Sequence, residues 1–510
     1  MIVKELSKFI VDLNYQNIPK TAIKQVKLCF LDFLGVTNRG FYEESTQIAM
    51  KTIKSMALSE DGGYDRINKK SSIIGGGYSS MANAGFINGI SAHSLDLDDG
   101  HRVAQLHPGG VVFPSAVAIA EANNIDGWKF LESVVCGYEV AIVLGILANP
   151  YHRNQGFHST GTIGTFASCA AASKLLNLSL EETINAFGIC GTQSSGFLEV
   201  DHQATMGKQL HSGKAVYNGI LSTYLAKNGF TGPESIIDGD EGFLKSMVTE
   251  KFGHMDLNTF DNYFKSFLDN YLGKFHINNV YLKKYPFCRH IHSSIDATLN
   301  INSKFNFDIE DIDKIIIKTY KIAVEHDNFN PKNKEEIKQS LPYAVAVAIV
   351  ENRLNLDIFE NILNNNIFNN INTNNISNNN LSNNNINTNN INNNNFNNNK
   401  LNNNNNNNNF KNDLIKNILD KIVIEESEEF TKLTPNYRPS KVIIKTNNEI
   451  YEDFVKLPLG ESENPLLKED ILEKFKNINP NFDFNKIIAI DNSIEKIENY
   501  TISDFMKIFH

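Results

Sequence analysis

The sequence predicts a mainly α-helical protein with a large all-helical domain and a smaller α+β domain. Two changes of pattern along the chain indicate this fold class. Up to about Asn270, apolar residues recur every three or four positions, beginning with Ile2, Leu6 and Ile10, as on one face of a helix. Beyond that point, β-branched runs such as 441–446 are typical of strands. Helical and strand-forming patterns are therefore segregated, as in an α+β arrangement.

Length and composition support more than one domain. A chain of 510 residues exceeds the usual size of a single domain, and its 41% hydrophobic residues can form a sizeable core. We expect the helical domain to span residues 1–268 and to be completed by about 464–510, where Pro465 precedes a helical pattern. The smaller α+β domain then spans residues 269–463.

An asparagine-dominated segment, residues 364–412, interrupts the smaller domain. Such a polar tract cannot bury enough apolar surface to offset its chain entropy, so we expect a disordered insert. Because closing a longer surface loop costs little entropy, the insert is expected to be functionally neutral.

Composition excludes several classes of partner. The formal net charge is -10 and the chain has no basic run, which argues against nucleic acid or an anionic membrane surface. The five cysteines are scattered without a C-x-x-C motif, as in a reducing cytosol, and they predict neither an iron-sulfur cluster nor a cysteine zinc site. The amino terminus lacks a secretory signal pattern, and the apolar stretch near Val140–Ala148 is too short to span a membrane. We expect a cytoplasmic protein.

The segment from Ala92 to His107 is the strongest candidate for an active site. It lies between two apolar stretches yet carries three carboxylates, three imidazoles and a guanidinium. These groups are Asp96, Asp98, Asp99, His93, His101, His107 and Arg102. Charges next to a core are costly unless they pair or take part in function. The alternative is that the aspartates are helix caps or solvated loop acids and that His107 is structural.

Further polar clusters follow along the chain. His158 precedes a Ser/Thr-Gly helix start, where backbone N–H groups favour an anion. Lys208 and His211 share one helical face, and the segment 283–292 concentrates cations near the expected domain boundary, where ligand clefts tend to form. Tyr343 could present a phenol to the same cleft. The alternatives are a capping histidine, a solvated lysine and a core tyrosine.

The arginines indicate a carboxylated ligand. Only seven occur, and three of them adjoin a histidine. These are Arg102 beside His101, Arg153 beside His152, and Arg289 beside His290. The planar fork of arginine binds a carboxylate through two hydrogen bonds, so these positions favour a small-molecule carboxylate as partner. Pairing with local acids is the alternative.

The histidine and aspartate spacing does not predict a metal site. His93 and Asp96 are three residues apart, and the chain has no H-E-x-x-H motif. A metal-dependent hydrolase and a non-catalytic anion-binding protein remain alternatives from other functional classes.

Taken together, these segments resemble the MmgE/PrpD family, which includes 2-methylcitrate dehydratase and cis-aconitate decarboxylase. The matching segments occur in order over nearly the whole chain outside the asparagine-rich insert. They are residues 92–99 with 107–109, 156–165, 208–213, 283–292, 340–343 and 464–475.

The resemblance implies an architecture and a set of site residues. The architecture is a helical domain with an α+β lid, as a homodimer, with the active site between the domains and no cofactor. The implied catalytic residues are Asp96, His107, His158, Lys208, Lys283 and Tyr343. The expected substrate-binding residues are Arg289, His211, His292 and Arg102.

One departure bears on the reaction. Gly100 stands where the decarboxylase has a threonine, and the spacing to His107 is one residue longer. We therefore expect a lyase that dehydrates a hydroxy di- or tricarboxylate such as 2-methylcitrate by removing a proton α to a carboxylate. Epimerisation, isomerisation or decarboxylation of a related acid are the alternatives within the same fold.

Overall fold

The structure, a computed structural model, describes residues 2–56, 69–359 and 411–510. The chain forms two compact units. Unit 1 comprises Met1–Lys284 and Leu459–His510, and unit 2 comprises Tyr285–Pro458. Nearly all of the expected asparagine-rich insert, residues 364–410, lies outside the described residues.

The chain leaves unit 1 later than the expected boundary at residue 268, and it returns at Leu459 rather than near residue 464. Backbone hydrogen bonds account for both shifts. The Tyr281 N–H donates to the carbonyl of Gly100 at 2.8 Å, and the Gly100 N–H donates back at 3.0 Å. The Leu282 N–H donates to the carbonyl of Gly460 at 2.9 Å. These bonds tie both segments to the helical unit.

The part of unit 1 before Lys284 is built from helices and one short hairpin. The hairpin pairs strands β1 (Lys70–Ser72) and β2 (Tyr78–Ser80) antiparallel. The helices are α1 (Ile2–Asp12), α2 (Lys20–Gly40), α3 (Glu44–Met56), α4 (Met81–Ser94), α5 (Gly109–Ala122), α6 (Gly127–Ala148), α7 (Tyr151–Asn154), α8 (Ser159–Leu175), α9 (Leu180–Gly191), α10 (Glu199–His202), α11 (Gly207–Lys227), α12 (Phe243–Met247), α13 (Thr249–Phe252) and α14 (Leu257–Tyr271).

Small residues let the central helices approach closely. Every residue of α8 is buried, including its serines and threonines, and α8 packs against α6 and α11. A Cβ atom on Gly89 of α4 would lie 2.9 Å from the Cα atom of Gly213 on α11. Because only hydrogen atoms fit at this crossing, α4 and α11 approach almost backbone to backbone. This contact brings together two helices that carry candidate site residues.

Helix α6 corrects one expectation. It has 22 residues, and its most apolar window has a mean hydropathy of 1.9, which is long and apolar enough to cross a membrane. The expectation of a shorter apolar stretch was wrong because it counted only the carboxyl-terminal half of the helix. Within unit 1, 94% of that window is buried, as in a core helix.

Unit 2 combines helices with a four-stranded sheet in the order β4-β3-β5-β6. Strand β3 (Ile312–Thr319) pairs parallel with β4 (Ile422–Glu426) and antiparallel with β5 (Ser440–Thr446), which pairs antiparallel with β6 (Ile450–Val455). The register places Ile316 opposite Val423 on one side and Ile443 on the other. The β-branched runs therefore form the sheet, as their composition predicts.

Helices pack on this sheet within unit 2. The helices are α15 (His292–Lys304), α16 (Lys321–Val324), α17 (Lys334–Lys338), α18 (Leu341–Glu351) and α19 (Glu428–Lys432), with further helical residues at 356–359 and 411–419. Helix α15 lies on β5 and β6, and α18 packs against α15. The mainly helical fold class is confirmed by the two units together.

The carboxyl-terminal segment belongs to unit 1 and forms α20 (Lys468–Ile478), α21 (Phe484–Glu495) and α22 (Ile502–Met506). Helix α20 packs on α2, where Lys474 forms a 2.6 Å ion pair with the buried carboxylate of Asp32. The same ammonium group donates to the carbonyl of Leu97 at 3.0 Å. The segment therefore braces the loop that contains the three aspartates.

Removing one partner of this pair should destabilise unit 1. In Lys474→Met, the Asp32 carboxylate stays buried without its cation, so we expect the free energy of unfolding to fall by about 3–5 kcal/mol. The matched control is Lys468→Met on the same helix, because its ion pairs with Asp491 and Glu495 are partly exposed and should contribute less than about 1 kcal/mol. Denaturant titration followed by circular dichroism measures both. Equal midpoints for the two variants would contradict the expectation.

Candidate active site

Three buried aspartates lie on the loop that joins α4 to α5. Asp96, Asp98 and Asp99 are each 4% exposed. Asp96 has φ of 53°, in the left-handed region that non-glycine residues seldom adopt. Backbone strain of this kind is typical of functional sites, where the surrounding contacts hold the residue in place.

Asp96 binds two lysines from distant parts of unit 1. The Lys283 ammonium donates to Asp96 Oδ1 at 2.8 Å and to its carbonyl at 2.9 Å, and Lys208 Nζ lies 3.3 Å from the same Oδ1. Burial by itself would raise the pKa of Asp96, but the attraction of Lys208 and Lys283 outweighs it and holds the pKa well below its usual range. The group is therefore an ionised carboxylate that holds two ammonium groups side by side.

His107 is held as a neutral imidazole. Its Nδ1 lies 2.6 Å from the carbonyl of Asp99, which can only accept, so Nδ1 carries the proton and Nε2 carries the lone pair. Burial lowers the pKa of His107 to about 3; the charge of Lys283 acts in the same direction, and Asp98 opposes it. His107 is therefore neutral at neutral pH and keeps a lone pair on Nε2.

His93 and Asp98 form a second pair beside His107. His93 Nδ1 lies 2.8 Å from Asp98 Oδ2, and His107 Nδ1 lies 3.5 Å from the same oxygen. Burial acts to raise the pKa of Asp98, but attraction by His93 and His107 lowers it below its usual range. The His93 ring lies 4.9 Å from that of His107 and 5.9 Å from that of His158, centroid to centroid.

Asp99 anchors the loop rather than facing a reactant. Its Oδ2 accepts the Tyr138 hydroxyl at 2.5 Å, and its Oδ1 accepts the N–H of Gly109 at 2.8 Å, at the start of α5. Burial raises the pKa of Asp99 to about 7, against the opposing effect of the Tyr138 hydrogen bond. These bonds fix the carbonyl that orients His107, and Asp99 accepts the N–H of the first residue of α5.

His158 and His211 form a third polar pair in unit 1. His158 directly precedes α8, and its N–H donates to the carbonyl of Gly196 at 2.9 Å. His211 lies on α11, one helical turn from Lys208, and its Nδ1 is 3.0 Å from Nδ1 of His158. Burial lowers the pKa of both imidazoles.

Arg102 is engaged by two carboxylates. Its guanidinium forms ion pairs of 2.9 Å with Glu461 and 2.7 Å with Glu463. The Arg102 hydrogen bond lowers the pKa of Glu463 to about 2. These pairs fasten the start of the returning segment to the aspartate loop, which is the local pairing named above as the alternative. Substrate binding by Arg102 stays a prediction.

Unit 2 carries Arg289 and His292 as a buried pair. His292 Nε2 lies 3.0 Å from the carbonyl of Phe287, so Nε2 carries the ring proton, and Nδ1 accepts from Arg289 Nη1 at 3.0 Å. The guanidinium also donates to the carbonyl of Pro458 at 3.4 Å. Within unit 2, His292 therefore orients Arg289, and substrate contact by either residue stays a prediction.

Tyr343, also in unit 2, is a buried phenol. Its N–H is capped by Ser340 Oγ at 3.2 Å, and the residue is 3% exposed. Its hydroxyl has no hydrogen-bond partner among the described residues. Burial raises the pKa of Tyr343, so the phenol stays protonated. A buried polar group without a partner is uncommon in folded proteins and is more typical of functional positions.

The structure thus gathers most of the predicted residues in unit 1. These are Asp96, His107, His158, Lys208, Lys283 and His211. Sequence analysis placed His93 and Asp98 in the candidate segment without giving either a role, and it did not single out Tyr138. The five-residue spacing of His93 and Asp98 across the end of a helix was a usable signal for the first two. Tyr138 lies in an apolar helix, and nothing nearby in the sequence distinguishes it.

His93, Asp98 and His107 are close enough to be considered as metal ligands. One potential ligand atom from each lies within 4.8 Å of the others. The Nδ1 atoms of both histidines are engaged with Asp98 and the Asp99 carbonyl, so a metal ion would have to bind through Nε2. The ammonium group of Lys283 also acts on both His107 and Asp98. The residues as arranged fit a hydrogen-bonded network better than a cation site.

The buried histidine His152 should make the stability of the folded protein depend on pH. His152 is fully buried between Ser159 and Thr162, and burial lowers its pKa from 6.5 to about 3. Between these values the unfolded chain takes up a proton that the folded protein does not. Stability should therefore fall as the pH falls through this window, by up to about 1.4 kcal/mol per pH unit for this one group.

The variant His152→Gln removes this proton uptake, so its denaturation midpoint should change less than that of the wild type between about pH 4 and pH 7. The exposed His254 provides the control, since His254→Gln should keep the wild-type slope. Chemical denaturation at a series of pH values makes the comparison. Parallel slopes for wild type and His152→Gln would show that His152 is not the titrating group.

Comparison with known proteins identifies several curated relatives. Curated relatives include the cis-aconitate decarboxylase-like protein oryM of Aspergillus oryzae, 26% identical over 379 residues, covering 70% of this chain and 75% of that protein. The cis-aconitate decarboxylase of Mus musculus is 24% identical over 373 residues, covering 71% and 72%. That of Homo sapiens is 34% identical over 165 residues, covering 31% and 34%.

Family models match both parts of the chain. The model of the MmgE/PrpD N-terminal domain matches residues 4–254, and that of the MmgE/PrpD C-terminal domain matches residues 285–365 and 401–494. The second match omits the central part of the asparagine-rich segment. The first model lies within unit 1, and the second covers unit 2 and most of the returning segment of unit 1. The chain therefore belongs to the MmgE/PrpD family.

Proposed function

We propose that this protein is a lyase of small di- or tricarboxylic acids that works through a carbanion next to a substrate carboxylate. One observation carries the proposal: the neutral base His107 lies in the same buried cluster as the two ammonium groups that Asp96 holds. A proton α to a carboxylate is only weakly acidic, so its removal needs both a base and positive charge for the dianion that forms. The cluster supplies both.

Each group has a distinct role in this chemistry. His107 Nε2 removes or returns the proton at the α-carbon, and Asp98 stabilises the imidazolium that forms. Lys208 and Lys283 stabilise the negative charge that moves onto the substrate carboxylate. Asp96 holds both ammonium groups in place before substrate binds, so little reorganisation accompanies the reaction. All of these steps use side chains of the protein itself.

The named relatives favour decarboxylation of cis-aconitate as the first candidate reaction. In that reaction a C–C bond breaks, CO2 leaves, and the electron pair shifts through the double bond to form a carbanion α to a carboxylate. Protonation of that carbon then gives a methylene-substituted dicarboxylate. The balance is one proton consumed and one CO2 released.

Dehydration of a hydroxytricarboxylate such as 2-methylcitrate is the second candidate. It begins with proton removal, which matches the neutral state of His107, and ends with loss of a β-hydroxyl. Gly100 also favours a departure from the decarboxylase pattern. A Cβ atom there would lie 2.3 Å from the hydroxyl oxygen of Tyr281, so a threonine does not fit unless Tyr281 moves.

A substrate panel in deuterated water distinguishes these reactions. The purified protein is incubated with cis-aconitate, 2-methylcitrate, citrate and isocitrate, and CO2 release, ultraviolet absorbance and proton NMR are followed. Decarboxylation gives CO2 and a methylene product with deuterium at one carbon, whereas dehydration gives a new enoate without CO2. Deuterium exchange without a new enoate would identify an epimerase instead. Loss of activity with a chelator would favour a metal-dependent enzyme, and binding without turnover or exchange would contradict a lyase.

His107→Gln tests the base directly. Because glutamine cannot take up the proton, kcat should fall by about 100-fold or more while KM changes little. The exposed His202 on α10 serves as control, and His202→Gln should keep wild-type kinetics. Circular dichroism checks that both variants are folded. Near-normal turnover of His107→Gln would remove His107 from the mechanism.

A further inference from the structure

We propose that His211 relays protons between solvent and His158, rather than contacting substrate as the sequence analysis predicts. The proposal rests on the dehydration proposed above, in which a proton leaves the α-carbon and a proton must reach the departing hydroxyl within one turnover. It assigns His211 a role that acts through another side chain.

The two rings form a hydrogen bond that constrains their protonation. Nδ1 of His158 and Nδ1 of His211 lie 3.0 Å apart, and the ring centroids lie 5.2 Å apart. An N–H···N bond needs one ring with a proton on Nδ1 and one with a lone pair there. Because burial lowers the pKa of both, the pair is neutral and consists of two complementary tautomers.

Such a pair can pass a proton without a net change of charge. When a proton binds the free Nε2 of one ring, the Nδ1 proton of that ring moves to Nδ1 of the second ring, which releases the proton from its own Nε2. Two N–H bonds break and two form, and no electrons are transferred. The pair is then left in the opposite tautomeric arrangement. In a dehydration, the outward transfer removes the α-proton and the inward transfer that protonates the departing hydroxyl resets the pair, so each turnover releases one water and leaves both rings as they began. Imidazole is suited to this role because each ring has two exchangeable nitrogen positions.

The two rings differ in their surroundings. His158 is 7% exposed, and the groups that act on its charge are His93, His107, Lys208 and His211. His211 is only partly buried, and the groups that act on it are His93 and Asp201, a carboxylate on α10. The negative charge of Asp201 favours uptake of a proton by His211. His211 is therefore the solvent side of the pair and His158 the inner side.

Two glycines, Gly161 and Gly196, lie close to His211. A Cβ atom on Gly161 would lie 3.1 Å from Cβ of His211, and one on Gly196 would lie 3.2 Å from its Nδ1. Gly196 has φ of 150°, and its carbonyl accepts the N–H of His158 at 2.9 Å. Gly196 therefore lies against the ring of His211 and is bonded to the backbone of His158, which limits rotation of His211 away from His158.

Kinetics of His211 variants test the relay. In His211→Ala, kcat should fall by about 10- to 100-fold with little change in KM, and added imidazole should restore it in a saturable way. His211→Asn keeps a hydrogen-bonding group near the same place but cannot relay a proton, so its kcat should also be low. The control His202→Ala should show neither the loss nor the rescue. Normal kcat in His211→Asn, or a rise in KM alone without rescue by imidazole, would overturn the proposal.

A measurement without substrate keeps this test independent of the proposed function. Long-range ¹H–¹⁵N spectra of the ¹⁵N-histidine-labelled wild type should show one ring of the pair protonated at Nδ1 and the other at Nε2. Replacement of His211 should remove this signature from His158. Two Nε2-protonated rings in the wild type would overturn the relay, whereas failure of every acid in the panel to react, with the signature intact, would overturn the proposed function.

Discussion

The buried carboxylate of Asp96 is the interaction on which the candidate site depends. The ammonium groups of Lys208 and Lys283 both approach one oxygen of Asp96, and without that oxygen they would repel each other. Lys283 is 1% exposed, so water cannot screen its charge. Asp96 Oδ1 compensates both at once, at 2.8 and 3.3 Å. The three charged groups come from α11, the α4–α5 loop and the segment before Lys284. Removing any one of these charges would therefore disturb the packing of these parts as well as the charge balance. The left-handed backbone of Asp96 is consistent with a residue held by its contacts.

The remaining acids differ in state because their surroundings differ. Asp98 faces two imidazoles and stays ionised, whereas Asp99 faces a phenol and a backbone N–H, and burial raises its pKa to about 7. Adjacent residues of the same type thus act as a charged partner for His93 and as an anchor for the loop. His107 bridges the two, since its Nδ1 is bonded to the Asp99 carbonyl and lies near the Asp98 carboxylate.

Sequence patterns could predict those parts of the fold and of the candidate site that depend on neighbouring residues in the chain. Helical periodicity and β-branched runs indicated the mainly helical fold and the strands of unit 2, and the density of Asp and His between Ala92 and His107 indicated the candidate site. Long-range pairing could not be predicted. No residue near Arg102 in the sequence indicates its ion pair with Glu461, and none near Asp99 indicates its hydrogen bond with Tyr138. The boundary at Lys284 depends on the bridge between Gly100 and Tyr281, which no local pattern encodes.

The close approach of Gly100 and Tyr281 also constrains how relatives of this chain can diverge. A side chain at position 100 and a tyrosine at position 281 compete for one volume, since the added Cβ would lie 2.3 Å from the phenol oxygen. A relative that gains a side chain at position 100 must lose or displace the tyrosine at position 281, either before that change or together with it. The two positions, 181 residues apart in sequence, should therefore change together.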